Sequence, residues 1–309
     1  MRFGRGALDG ARELIGGPYA LLTTPRASAS APALEAGADE VHEVPPGRVD
    51  EVAAGLRGAV RAPAIVALGG GRVIDVAKAI AAADAPRRVA AVPTTLSAAE
   101  MTAIHRLPAG VAPDTARVRP ALVLNDPALS ASQPEPALAA SAANALGHAV
   151  EAPLTDGANP VATLAARRAA ELILGAFEQP EPDRDALALG ALMAGYAMDS
   201  AGYGLHHVLA QTLARLAGVG HGPANAAMLP HSIQALSARA PESATALGEA
   251  GAGARGLAAR AGAERLRDLG VERGTIASLA EAAAARAELA RTPPAASEGE
   301  LRELYESAW

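Results

Sequence analysis

Histidine, asparagine and glutamate recur at helical spacing in the second half of the chain. Asn144 and His148 stand four apart in NALGHAVE, with Glu151 one turn further. That spacing puts them on one helix face. GLHHVLAQ sets His206 beside His207, with Gln211 four residues after His207. His221 follows in GVGHGPANAAMLPH, in a glycine-flanked turn ahead of a helix. Of seven histidines, five lie between His148 and His231. Imidazoles from separate segments can surround a metal ion or a substrate, and they exchange protons near neutral pH. Either role needs His148, His207 and His221 to converge, which spacing alone does not establish. Any single histidine can also be a satisfied core or surface residue, and that is how His206 and His231 are read.

A second constellation lies earlier. AIVALGGGRVIDVAKAI runs from a strand through Gly69, Gly70 and Gly71 directly into a helix. A helix N-terminus behind a glycine turn can hold a diphosphate on its free N–H groups. Arg72 opens that helix, Asp75 stands in its first turn, and Lys78, one turn on, could reach a phosphate. The turn is not the G-x-G-x-x-G fingerprint, and glycines for geometry alone are the competing reading. PTTLSAAEMT then places Thr94, Thr95 and Ser97 just past another strand. Ligands of open parallel sheets lie outside such strand ends, so the two features together favour a nucleotide site.

The elements that would position these residues fall into two halves. Short apolar runs at Pro18–Thr24, Ala64–Leu68, Val89–Val92 and Ala121–Leu124 read as strands. Val49–Val60 and Val73–Ala83 read as helices between them. Alternation of this kind implies a parallel sheet covered on both faces. After Pro127 the chain is Ala/Leu-rich with helical periods. Candidate helices are Pro136–Glu151, Pro160–Phe177, Arg184–Gly202, Leu205–Leu216, Gly222–Leu236, Ala254–Gly262 and Thr275–Arg291. Ser297 and Glu300 make a capping box for a last helix to Trp309. The expectation is an α/β dinucleotide-binding domain over residues 1–130 and an all-α domain over 131–309.

Composition excludes several classes. The 309 residues are 50% hydrophobic, too many for a disordered chain. A net charge of −6 leaves no basic footprint for nucleic acid. With no cysteine, disulfides, thiolate-held zinc and a thiol nucleophile are absent. No leader or spanning segment is visible, so a cytoplasmic protein without membrane or nucleic-acid partners is expected.

Taken together, these stretches resemble the iron-containing (group III) alcohol dehydrogenase superfamily. The motifs GGG-x-x-x-D-x-x-K, PTT-x-x-x-x-E, H-x-x-E and H-x13-H occur in that order from about Phe3 to the C-terminus. PTTLSAAEMT, NALGHAVEA and GLHHVLAQ are most similar to the maleylacetate reductase branch. The resemblance implies a dehydroquinate synthase-like architecture: a dinucleotide-binding domain, a helical domain and an active site in the cleft between them. It implies NADPH or NADH as cofactor, contacted by Gly70, Gly71, Asp75, Thr94, Thr95 and Ser97. It also implies a homodimer and a place in aromatic compound catabolism. His148, His207 and His221 match three of the family's four metal ligands.

Three departures qualify it. Asn144 stands where metal-binding members have Asp. This removes the anionic ligand, and a metal-free site is expected, with Asn144, His148, His207 and His221 serving substrate and proton. If a metal binds, the same four residues hold it. Gln211 replaces a further histidine and cannot relay a proton. His105-Arg106 could offer positive charge to a carboxylate, as could His148. The segment Thr23-Thr24-Pro25-Arg26 lacks the acid typical of NAD selectivity, and Arg26 and Arg72 suit a 2′-phosphate. The leading expectation is an NAD(P)H-dependent reductase of a small carboxylated enone or keto acid. A metal-dependent alcohol or polyol dehydrogenase, a dehydroquinate synthase-like cyclase and a non-catalytic nucleotide binder are the alternatives.

Overall fold

The computed structural model describes residues 1–309, apart from the side chain of residue 244. The chain divides into two compact units, Met1–Gln133 and Pro134–Trp309.

The first unit is built on β1 (Arg2–Phe3), β2 (Tyr19–Thr23), β3 (Glu40–Glu43), β4 (Ala64–Gly69), β5 (Arg88–Pro93) and β6 (Leu122–Asn125). All pairings are parallel, in the order β1-β6-β5-β4-β2-β3. Every residue of β2 and β4 is buried, so their side chains go alternately to two cores. Ala20, Leu22, Ile65 and Ala67 face helices α4 (Val49–Arg57) and α5 (Gly71–Ala83). Tyr19, Leu21, Val66 and Leu68 face α1 (Ala11–Ile15), α2 (Pro25–Ser30) and α3 (Pro32–Ala36). Apolar runs rather than alternating ones follow from that double burial. β1, β3 and the three short helices lie outside the sequence-based expectation. β3 reads EVHE and alternates half-buried with exposed positions, as suits a sheet edge.

The second unit contains α6 (Glu135–Glu151), α7 (Pro160–Gly175), α8 (Arg184–Ala201), α9 (Leu205–Leu216), α10 (His221–Arg239), α11 (Ala244–Arg260), α12 (Ile276–Ala284) and α13 (Glu298–Ala308). Side-chain caps set several starts. Asn159 accepts from Ala162 N at 3.0 Å, Asp183 from Ala186 N at 3.0 Å, and Ser297 from Glu300 N at 3.2 Å. Such caps contribute about 1 kcal/mol each.

Two helical expectations change. α11 starts ten residues earlier than the sequence suggests, running through glycines of which Gly253 is a packing position and not a break. A Cβ at Gly253 would collide with Leu174 of α7. Thr275–Arg291 is not one helix: α12 stops at Ala284, and Ala287–Arg291 forms a separate 3-10 turn. Among the described residues, no helix is long and apolar enough to cross a membrane.

Candidate active site

The glycine turn sits at the C-terminal end of β4. Gly70 has φ −78° and ψ −176°, an extended conformation open to any residue. What the turn requires is space. A Cβ on Gly70 would lie 3.1 Å from the Thr95 side chain, and one on Gly71 would lie 2.9 Å from Ser97 Cβ. A Cβ on Gly69 would stand 2.6 Å from Val73. Gly69 O also accepts from Thr94 N at 3.0 Å. The glycines therefore let the hydroxyl loop after β5 close onto the start of α5. Thr95 and Ser97 stand at the helix N-terminus, and Thr94 Oγ1 is buried with no hydrogen-bond partner. Hydroxyls, an unpartnered oxygen and a positive helix end fit a dinucleotide diphosphate. Arg72 is exposed on the first turn.

Lys78 corrects the expectation of a phosphate ligand. Its side chain is fully buried. Nζ donates to Ala99 O at 2.9 Å, Ile104 O at 3.0 Å and Thr102 O at 3.1 Å. It also pairs with Asp75 Oδ1 at 2.8 Å. The ammonium is spent on anchoring the loop that carries the hydroxyls. Desolvation raises the Asp75 pKa, and Lys78 opposes that rise. Burial likewise pushes the Glu100 carboxyl up to about 7.

The His105-Arg106 pair also departs from expectation. His105 is buried, accepts from Val118 N through Nε2 at 3.0 Å and donates Nδ1–H to Arg106 O at 2.9 Å. Burial lowers its pKa to about 4, so it is a neutral loop pin. Arg106 faces Asp50 at 3.5 Å.

In the helical unit, α6, α9 and α10 bring the histidines together. The rings of His148 and His207 stack at 4.5 Å between centroids, 17° apart. His206 meets His207 edge-on at 4.8 Å, and Tyr203 does so at 5.8 Å. Gly147 permits this, since a Cβ there would stand 2.5 Å from the His206 ring. His207 Nδ1–H donates to Glu151 Oε2 at 2.8 Å, which leaves Nε2 as a lone pair, buried and unpartnered. Glu151 Oε1 also accepts from His206 N at 2.7 Å.

His206 is a core residue, its Nδ1–H donated to Ser232 Oγ at 3.1 Å. His231 bonds Ser307 near the surface. His221 heads α10 and is an exposed residue, although desolvation of its imidazole lowers the pKa. Asn225 Nδ2 donates to His221 O at 2.8 Å, which fixes the amide orientation, and to His221 Nε2 at 3.3 Å. The neutral ring then carries its proton on Nδ1. Asn144 Oδ1 and His148 Nδ1 are buried without partners.

Burial pushes His207 and His206 down to about 3, and His148 well below its usual range. The neighbouring imidazoles add to the His148 shift. His148 is therefore neutral, against the expectation of a cation for a carboxylate. Glu151 and Tyr203 matter to the constellation more than spacing suggested. Glu151 carried a signal in H-x-x-E; Tyr203 carried none.

A divalent ion is the group that family resemblance would bring to these histidines. The donors are an amide oxygen and three imidazoles, with the one close carboxylate engaged behind His207. Among the described residues, no three His, Cys, Asp or Glu side chains are disposed to hold a metal. Three imidazoles with an open position are a donor set that zinc accepts, but these side chains are not disposed as a metal cage.

Residues 1–127 match the family model described as iron-containing alcohol dehydrogenase. Residues 138–309 match that of the Fe-containing alcohol dehydrogenase family, C-terminal. Maleylacetate reductase 1 of Rhodococcus opacus is 31% identical over 280 residues, covering 85% of this chain and 78% of that protein. The 1,3-propanediol dehydrogenase of Citrobacter freundii is 32% identical over 62% of this chain and 55% of its own length. The crystal structure of maleylacetate reductase from Rhizobium sp. strain MTP-10005 superposes with a TM-score of 0.86 at 30% identity. That match covers 100% of this chain and 95% of the other.

Proposed function

The chain belongs to the iron-containing alcohol dehydrogenase family, and on that footing we propose a maleylacetate reductase-like enzyme that works without metal. It is an NAD(P)H-dependent oxidoreductase, and the proposed substrate is a small carboxylated enone or keto acid. The observation that carries the reading is the Glu151–His207 clamp, which presents a neutral imidazole among unpartnered polar atoms and no carboxylate ligand.

NAD(P)H supplies the hydride when bound. The Gly69–Gly71 turn, Arg72, Asp75, Thr94, Thr95 and Ser97 would hold its diphosphate and ribose. β2 ends in Thr23 with no acid following, so NADPH is accepted. His207 Nε2 accepts a hydrogen bond and orients the substrate. His221 Nδ1–H is the donor facing charge that develops on the carbonyl oxygen. Asn144 and His148 complete the polar wall. Bound NAD(P)H would supply hydride to the electrophilic carbon, and solvent would supply the proton that neutralises the enolate or alkoxide. The enzyme acts as a cytoplasmic homodimer.

The test is oxidation of NADPH and NADH with maleylacetate, together with metal analysis of protein purified without chelator. Turnover that survives chelation supports the reading. Activity that appears only with stoichiometric iron or zinc overturns it. The metal-dependent alcohol dehydrogenase reading, which the 1,3-propanediol dehydrogenase likeness favours, would then lead.

A further inference from the structure

A carboxylated substrate needs a cation, and the histidines of the helical unit are held neutral by burial. Arg286 is linked to their surroundings through Gln211 and Tyr203. It lies between α12 and the 3-10 turn Ala287–Arg291, and its side chain is 12% exposed. One edge of its guanidinium grips Glu288, with Nε to Oε2 at 3.1 Å and Nη2 to Oε1 at 2.6 Å. Nη2 also donates to Gln211 Oε1 at 3.0 Å and approaches Tyr203 Oη at 3.4 Å. Both of these partners bracket His207. Gln211 is one turn on along α9, and the Tyr203 ring meets His207 edge-on at 5.8 Å. Tyr203 Oη–H is itself donated to Glu288 Oε1 at 3.1 Å.

The donors are unevenly used. Nη2 has two N–H groups and faces three oxygens. Nη1 has two N–H groups, is buried, and has no hydrogen-bond partner. A guanidinium is permanently charged, so it cannot relieve this by losing a proton. The Nε–Nη2 edge is taken by Glu288, so Nη1 is left to donate to an acceptor such as a carboxylate oxygen.

We infer that Arg286 reads a substrate carboxylate through Nη1, with Gln211 and Tyr203 fixing the guanidinium against the histidine cluster. This rests on the carboxylated-substrate reading above and names the residue that would select it. Glu288 keeps the arginine oriented, and the hydrogen bonds from Arg286 draw its carboxyl down to about 2 against the opposing effect of burial.

The experiment compares wild type with Arg286→Gln, Arg286→Lys and Gln211→Glu, each first checked for folding by thermal melting. Steady-state kinetics are measured with maleylacetate and with an uncharged enone. Protection against melting is measured with maleate, a dicarboxylate probe. For Arg286→Gln, the maleylacetate KM should rise at least 30-fold while kcat changes less than threefold. Turnover of the uncharged enone should be unchanged, and maleate protection lost. Arg286→Lys should recover part of the KM. Gln211→Glu supplies an internal carboxylate and should reproduce the KM rise with the arginine in place, which serves if Arg286→Gln fails to fold. An unchanged KM, or equal losses on both substrates, would overturn the inference. Wild type that reduces no carboxylated substrate would instead overturn the functional reading, and maleate protection would still report on Arg286.

Discussion

Glu151 Oε2 accepts the Nδ1–H of His207 at 2.8 Å, and neither side chain is more than 2% exposed. The bond selects one tautomer and aims the other ring nitrogen. Where the oriented imidazole is a metal ligand, such partners typically carry roughly 10–100-fold in activity. Glu151→Gln should lower kcat by about that factor with little change in NAD(P)H affinity. Wild-type kcat in this variant would show that the ring needs no such anchor.

Acid should destabilise the protein earlier than carboxylates alone would cause. His105, His148, His206 and His207 are buried with folded pKa values below the ordinary 6.5. The unfolded chain binds protons there that the folded chain refuses. Stability is full above pH 6.5 and falls as pH drops toward the folded values, by up to about 1.4 kcal/mol per pH unit per histidine. Asp75, Glu100 and Glu151 are raised and act in the opposite sense, but they are fewer. Tm should therefore drop from pH 7 to pH 5. A flat profile across that window would contradict neutral buried imidazoles.

Gly71→Ala tests the glycine turn. Its Cβ would meet Ser97 Cβ at 2.9 Å, so the hydroxyl loop must retreat. NADPH affinity, read by fluorescence titration, should weaken about tenfold, an effect of about 1.4 kcal/mol. Adding Ser97→Gly should restore space but not the lost hydroxyl. Unchanged affinity in Gly71→Ala would place the diphosphate elsewhere.

Lys78→Met removes a buried ammonium and leaves Asp75 and three carbonyls unpaired. Breaking a buried pair from one side costs about 3–5 kcal/mol. Thermal unfolding should show a loss of that order. A loss below 1 kcal/mol would mean that water replaces the ammonium freely.

Asn144→Asp restores a carboxylate to the face shared with His148. Zinc or iron retained through gel filtration should rise relative to wild type, because an anionic ligand offsets the desolvation of a divalent ion. Equal metal content in both proteins would show that residue 144 does not govern binding.

The strand runs of β2, β4 and β5, the helix behind the glycines and most helices of the second unit were legible in the chain. Their signal is local: apolar runs for doubly covered strands, a 3.6-residue period for helices, and Ser, Asn and Asp at helix starts. β3 was not legible, because an edge strand reading EVHE has no apolar run. α11 was hidden by its glycines, of which Gly253 makes room for Leu174 of α7. Spacing could nominate His148, His207 and His221, but not the charge they carry. Only burial decides that an imidazole is neutral, and only the fold buries it. Lys78 looked like a phosphate ligand until the loop after β5 wrapped its ammonium in carbonyls. Arg286 sits 75 residues beyond Gln211, in a segment the sequence read as plain helix. Local residue pattern determined the elements. The protonation states, the use of each cation and the link from Arg286 through Tyr203 toward His207 arise from long-range contacts, since desolvation and pairing depend on neighbours in space.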